Sequence, residues 1–137
     1  MSKELGDGWT SGPQLTRTIE SDGTAVNVGD SVAIDGSEQV AATGDTDTVY
    51  GVVAGPADDR TDMDNLSAGD ALSVVVHGDV IANVASGVSH GDRLSPNATA
   101  GQLGTDSAGS ITAYSDAGGT LDGASLGSNE AAVFVEG

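Results

Sequence analysis

The chain has no cysteine, which removes disulfides and thiolate metal sites from consideration. Cations are nearly as scarce. Lys3, Arg17, Arg60 and Arg93 stand against 21 Asp and Glu, for a formal net charge of −17 over 137 residues. Four scattered cations cannot assemble a phosphate-binding stripe, so nucleic acid is not an expected partner. The aromatic residues are Trp9, Tyr50, Tyr114 and Phe134, and Leu, Ile, Val and Phe together fill only 28 of the 137 positions. That is close to the level at which a highly charged chain fails to bury a core. No apolar run approaches the roughly 18 residues of a membrane-spanning helix, and no charged-then-apolar leader opens the sequence. The expectation is a soluble protein with no membrane partner.

What is abundant is acid, glycine and valine. A surface of one sign repels itself and opposes compaction unless salt screens it. The screening length shrinks to about 3 Å at 1 M salt, so this composition is the one expected of a halophilic protein. An acidic protein of ordinary cytosol is the plainer alternative. Fifteen of the 28 large apolar residues are Val, and most sit in alternating runs, which decides for a folded chain. A core this poor in large side chains points to subunit contacts as a further source of stability.

The longest apolar stretch is 66–84. Leu72, Val74 and Val76 alternate with Ser73, Val75 and His77, and Val80, Ala82 and Val84 alternate with Ile81 and Asn83. This period of two, rich in β-branched residues, predicts two strands. Gly78-Asp79 lies between them and fits a type II′ hairpin turn, whose first position requires a positive φ. Further strands are expected over 24–28, 31–35, 39–42, 48–54, 110–114 and 131–135, with an acidic loop at 57–65 and a Gly/Ser/Asp loop at 115–129. No segment carries a capped apolar stripe of helical period. The fold class is all-β, a small β-barrel or sandwich.

One pattern occurs three times: Val26-x-x-Gly29-Asp30-x-Val32, Leu66-x-x-Gly69-Asp70-x-Leu72 and Val88-x-x-Gly91-Asp92-x-Leu94. Its physical reading is a tight turn feeding a strand. Glycine supplies the unusual φ, aspartate caps local N–H groups, and the flanking apolar residues point inward. Residues 1–22 lack such patterning and read as an extended N-terminal arm, leaving 23–137 as the barrel-like domain. The arm holds the only Trp. A Trp in a polar arm is either an anchor into a neighbouring surface or a plug on its own domain; on the first reading Trp9, with Leu5 and Pro13, is the expected partner-binding set.

Candidate chemistry is thin. Gly123-Ala124-Ser125-Leu126-Gly127 matches the nucleophile-elbow spacing, but no strand-to-helix context surrounds it and no His follows it. His77 and His90 are the only histidines, too few without cysteine for a zinc site, and a surface strand His is the plainer reading of His77. Asp58, Asp59, Asp62 and Asp64 crowd one loop, yet the EF-hand glycine and distal Glu are missing and Arg60 intrudes. Asn65-Leu66-Ser67 and Asn97-Ala98-Thr99 match the glycosylation acceptor pattern, with Asn97 the better placed beside Pro96. The expectation is a non-enzyme with no catalytic residue, no metal and no cofactor. A small hydrolase or ligand-binding barrel is the alternative from another class.

Val49 to Gly55 (V-Y-G-V-V-A-G) and Ala68 to Val80 (A-G-D-x-L-x-V-V-V-H-G-x-V), with the Gly-Asp corners, resemble the capsid cement or head decoration proteins of tailed viruses. The resemblance spans roughly 23–135. It implies a β-barrel-like domain on the outside of an icosahedral shell, a homotrimer, the major capsid protein as partner, and a place on the virion surface after assembly in the host cytoplasm. Under it, strands 72–84 with their neighbours are the expected trimer surface and the arm faces the shell. A spike or turret base is the nearest alternative. The extreme acidity departs from the family pattern and fits a virus of salt-loving microbes.

The charge generates the first prediction. Dialysis from molar to millimolar salt should lower the melting temperature and erode the β circular-dichroism spectrum. An unchanged spectrum and melting temperature at low salt would rule out the halophilic reading.

Overall fold

A computed structural model describes residues 5–6, 14–35 and 38–136. All regular structure among them is strand: β1 Leu15–Glu20, β2 Ser31–Ile34, β3 Val40–Ala42, β4 Gly51–Pro56, β5 Ala71–Asn83, β6 Arg93–Pro96, β7 Leu103–Thr105, β8 Ile111–Ala113, β9 Thr120–Leu121, β10 Ala124–Ser125 and β11 Glu130–Val135. Nine of these form one antiparallel sheet in the order β3-β2-β4-β5-β11-β8-β6-β7, with β1 also paired to β5, while β9 and β10 form a separate ribbon. The fold is all-β and barrel-like.

The sheet curls strongly in both halves. In the first half an isolated bridge joins Ser21, just past β1, to Val40 of β3. In the second half Val84, just past β5, bridges Leu103 of β7. The result is two partial barrels that share β5. Val26, Val32, Val40, Val53, Leu72, Val74 and Val76 fill the first. Val80, Ala82, Val84, Leu94, Leu103, Ile111, Val133 and Val135 fill the second, whose core extends to Val52 and Val75.

The predicted hairpin at Gly78-Asp79 is not formed. β5 is a single strand of 13 residues. Its first half pairs with β1 (Arg17↔Val74) and β4 (Val53↔Val74), and its second half pairs with β11 (Val133↔Val80). The change of partner falls at Gly78, which carries φ 117. Val75 and Val80 are an odd number of residues apart and would face opposite sides of a regular strand. Both lie in the second core, so the strand rolls over between them. A Gly-Asp pair suits either a turn or this bend, and Val52, Val53, Ala131 and Val133 offer each half a better partner than the other half does. β5 is thus the middle of the sheet, and most of its side chains are buried, with His77 exposed.

The three Gly-Asp motifs are one turn built three times. Gly29, Gly69 and Gly91 have φ of 89°, 94° and 90°. Asp30, Asp70 and Asp92 each accept the backbone N–H three residues earlier, from Asn27, Ser67 and Ser89, at 2.9, 2.8 and 2.8 Å. Each turn opens directly onto a strand, β2, β5 or β6. Of the flanking residues, Val26, Val32, Leu72, Val88 and Leu94 are buried and Leu66 is half-buried.

The first of these turns ties the halves together. Gly29 N–H donates to Val53 O, and Gly29 O accepts from Asn83 N–H, each at 2.8 Å. The buried Asp30 carboxylate accepts Asn83 Nδ2 at 3.0 Å. Ser31 Oγ, Thr43 Oγ1 and Gly101 O extend the polar seam toward the β6–β7 loop. Desolvation pushes the Asp30 carboxyl above the ordinary carboxylate range, against the pull of its Asn27 and Asn83 hydrogen bonds.

Four expectations give way. Residues 24–28 form no strand, because Val26 enters the core from an irregular approach to the first turn. Within the supposed arm, 15–20 is a strand of the main sheet. The Leu15, Arg17, Ile19 alternation was its signal, masked by exposure on five of six residues. β7 and the β9–β10 ribbon lie in stretches that glycine makes look like loop.

Two predictions follow from this architecture. Gly78→Ala places a side chain at a positive φ and should cost about 1–3 kcal/mol in denaturant unfolding, and a cost near zero would show that the bend does not need glycine. Because the folded Asp30 carboxyl titrates above its unfolded counterpart, its share of stability is full below the unfolded pKa and is lost as pH rises through the folded one. Asp30→Asn should therefore gain stability relative to wild type as pH rises through that window, read by melts across a pH series with a carboxyl-carbon NMR titration of Asp30.

Candidate partner-binding face

The outward positions of the shared strands carry the exposed rings. On β11, Ala131, Val133 and Val135 enter the second core, so Phe134 turns outward. The rings of His77 on β5 and Phe134 meet edge to face, with centroids 5.2 Å apart. Tyr114, just past β8, meets the other side of Phe134 at 6.3 Å. Tyr114 is 43% exposed, so this row is a surface feature. Edge-to-face pairs prefer this range of separation and fix one another's orientation.

Beside the row, Arg93 on β6 is held by three acceptors. Its Nε donates to Gly109 O at 2.9 Å, and its Nη1 donates to Thr112 Oγ1 at 2.8 Å and meets Glu136 Oε1 at 3.4 Å. On the other side of His77 lies an open groove of about 490 Å³. Leu15 and Arg17 of β1 form one wall, Thr48, Val49 and Tyr50 the other, with Val76, Ser110 and Glu136 completing it. A smaller hollow continues past Thr48–Tyr50 to Ile34. Leu15 and Ile34 are 50% and 49% exposed, and with Tyr114 they are the exposed large apolar residues among those described. Arg17 and Arg93 are two of the four Lys/Arg side chains in the sequence. Apolar, aromatic and cationic groups thus share one face of a strongly acidic body.

Of the expected partner-binding set, Trp9 and Pro13 lie outside the described residues. Leu5 covers the chain's own surface. It packs with Leu121 on a small cluster of Ile81, Leu126 and Ala132, and Gly6 N–H donates to Ile81 O at 2.7 Å. Ile81 and Ala132 face out of the second barrel and would be bare apolar surface without this cover.

The other candidates have local structural roles. Ser125 sits in the β9–β10 ribbon, exposed and away from any helix. His90 N–H donates to Asp116 Oδ1 at 2.8 Å, and its Nδ1 lies 3.0 Å from Tyr114 O, which ties the loop that follows β8. In the acidic loop Asp58 caps the N–H groups of Arg60 and Thr61, and Asp62 binds the Asn65 amide and the Asp64 N–H. These bonds hold both carboxyls below the ordinary range, led by the Arg60 N–H for Asp58 and the Asn65 side chain for Asp62. The loop is a pair of self-capped turns, and among the described residues no group of three His, Asp or Glu is placed to hold a metal. Of the two glycosylation candidates, Asn97 is half-buried with its Nδ2 donating to Gln102 Oε1 at 2.9 Å, and Asn65 is exposed with its Nδ2 donating to Asp62 Oδ2 at 3.1 Å.

Sequence reasoning missed this face because Leu15, Tyr50, His77, Tyr114 and Phe134 are scattered over 120 positions. The legible signal was Phe134, a large ring at the outward parity of a strand whose other outward residues are Glu130 and Ala132.

No protein-family model, curated protein or solved structure matches the chain.

Proposed function

We propose that this chain is a non-enzymatic virion protein that decorates and stabilises the outside of an icosahedral capsid, as a homotrimer bound to the major capsid protein. One observation carries the reading: exposed aliphatic, aromatic and cationic side chains concentrate on a single face of a body with net charge −17. Acidic surfaces repel, so two such bodies adhere where the field is weakest and apolar area is available. The family resemblance supports the same reading, since Val49 to Gly55 and Ala68 to Val80 overlap the paired strands β4 and β5. The mechanism is mechanical. Each copy bridges neighbouring subunits and adds buried area where internal pressure would part them. Stable contacts of this kind bury about 1,200–2,000 Å² in total.

Particles assembled without the protein should form but break more readily than decorated ones when heated or when the salt is lowered. Tyr114→Ala with Ile34→Ala should keep the melting temperature of the isolated protein and weaken its binding to bare particles by roughly thirtyfold, the size of one interface hot spot. Equal toughness of bare and decorated particles, or clustering of the protein at five-fold vertices alone, would overturn the proposal, the latter in favour of a spike or turret base.

A further inference from the structure

We infer that copies of this chain associate head to tail, with the groove beside Arg17 on one copy receiving the acidic end of the first barrel on the next. The inference rests on the homotrimer part of the decoration reading and names the contact it would use. β1 and β4 flank the first half of β5, and their register fixes which residues share an end. At one end Leu15 lies opposite His77 and Val52 opposite Val75. At the other, Glu20 lies opposite Ala71 and Pro56 opposite Leu72. The two ends are separated by about 20 Å of strand, at about 3.3 Å per residue.

The ends differ in kind. The groove of about 490 Å³ lies at the His77 end, with Leu15, Val49, Tyr50 and Val76 as apolar walls and Arg17 as its cation. Val49 packs on the second core, and Tyr50 and Val76 belong to the first, so these walls are fixed. Glu136 is the one carboxylate lining the groove, and Arg93 holds it at 3.4 Å. Arg17 makes no hydrogen bond or ion pair among the described residues. At the Ala71 end a second hollow, of about 420 Å³, is lined by Thr18, Ile19, Gly69, Ala71 and two glutamates, Glu20 and Glu38. The acidic loop is tied to this end, because Ala57 N–H and Thr61 Oγ1 donate to Ala71 O at 3.0 and 3.2 Å. It adds Asp58, Asp59, Asp62 and Asp64 against the single cation Arg60.

The first barrel is therefore polar along its strands, apolar and cationic at one end and acidic at the other, and carries its own complement. A body with net charge −17 repels its copies in most orientations. Head to tail is the orientation that sets Arg17 against carboxylates. Two grooves placed face to face would offer Arg17 only Glu136, which Arg93 already holds. In molar salt the long-range repulsion is screened, whereas an ion pair enclosed by the groove's apolar walls is screened much less. A head-to-tail contact joins two different surfaces and closes into a ring where the rotation per copy permits. Closure at three copies gives the homotrimer.

The test is a charge swap read by light scattering of the purified chain, over a concentration series in salt where it is folded. The wild type should have the mass of a trimer. Arg17→Glu alone, and Glu20→Lys with Glu38→Lys, change exposed positions only. Each should weaken association at least about tenfold and keep the β circular-dichroism spectrum. All three substitutions in one chain reverse both ends and should restore the trimer, which damage to the fold would not do. A wild-type trimer that Arg17→Glu leaves intact overturns the inference and leaves the homotrimer standing. Loss of association on changing Arg17 but not Glu20 and Glu38, or a swap that fails to restore it, overturns the head-to-tail contact. A wild type that stays monomeric overturns both the inference and the homotrimer. No particle enters this experiment, so binding to the shell is decided separately by the particle assay.

Discussion

The structure depends on the backbone pairing of β5, which serves both halves of the sheet despite a bulge opposite β1. Its 13 residues serve β1 and β4 before Gly78 and β11 after it. Each of these partner strands has six residues, and the strands beyond them, β2, β3, β6, β7 and β8, have three or four. Strands of that length are marginal alone and gain stability from being joined into a larger sheet. β5 supplies the join. It also explains how a chain with so few large side chains can make two cores, because one strand lends Leu72, Val74 and Val76 to the first and Val75, Val80 and Ala82 to the second.

The repeated Gly-Asp turn offsets the thinness of those cores. Each copy converts a potentially unsatisfied N–H into a charge-assisted hydrogen bond to aspartate and delivers the next residue in strand geometry. Two copies keep the aspartate, Asp70 or Asp92, half-exposed at the surface. The copy at Asp30 is buried between the halves and holds Asn83 as well. There the same chemistry opposes itself, with hydrogen bonds favouring the carboxylate and desolvation outweighing them. The turn therefore contributes connection between the barrels at an electrostatic cost.

The acid is spread widely over the chain, and it is spread for solvation and local capping. Asp22, Asp58, Asp62 and Asp106 each accept neighbouring N–H groups within exposed turns. Groups so used contribute no converging site. The contrast with the His77–Phe134–Tyr114 row and the adjoining β1 groove is what gives this molecule a front.

The fold class was legible in the sequence because strand patterning is local. Period-two runs of valine, the Gly-Asp turns and their inward-facing apolar flanks follow from steric preference and from aspartate's reach to its own backbone. The fate of Gly78-Asp79 was not legible, since bend and hairpin make the same local demands and differ only in which strands stand ready to pair. β1 looked like an arm because an exposed edge strand needs no apolar face. The partner-binding face was invisible for a related reason: Leu15, Tyr50, His77 and Phe134 become neighbours only when β1, β4, β5 and β11 are in register. Local chemistry thus determined the elements and their turns. Only the tertiary pairing of distant strands decided which side chains share a surface, because register between distant strands is set by the packing of both cores together.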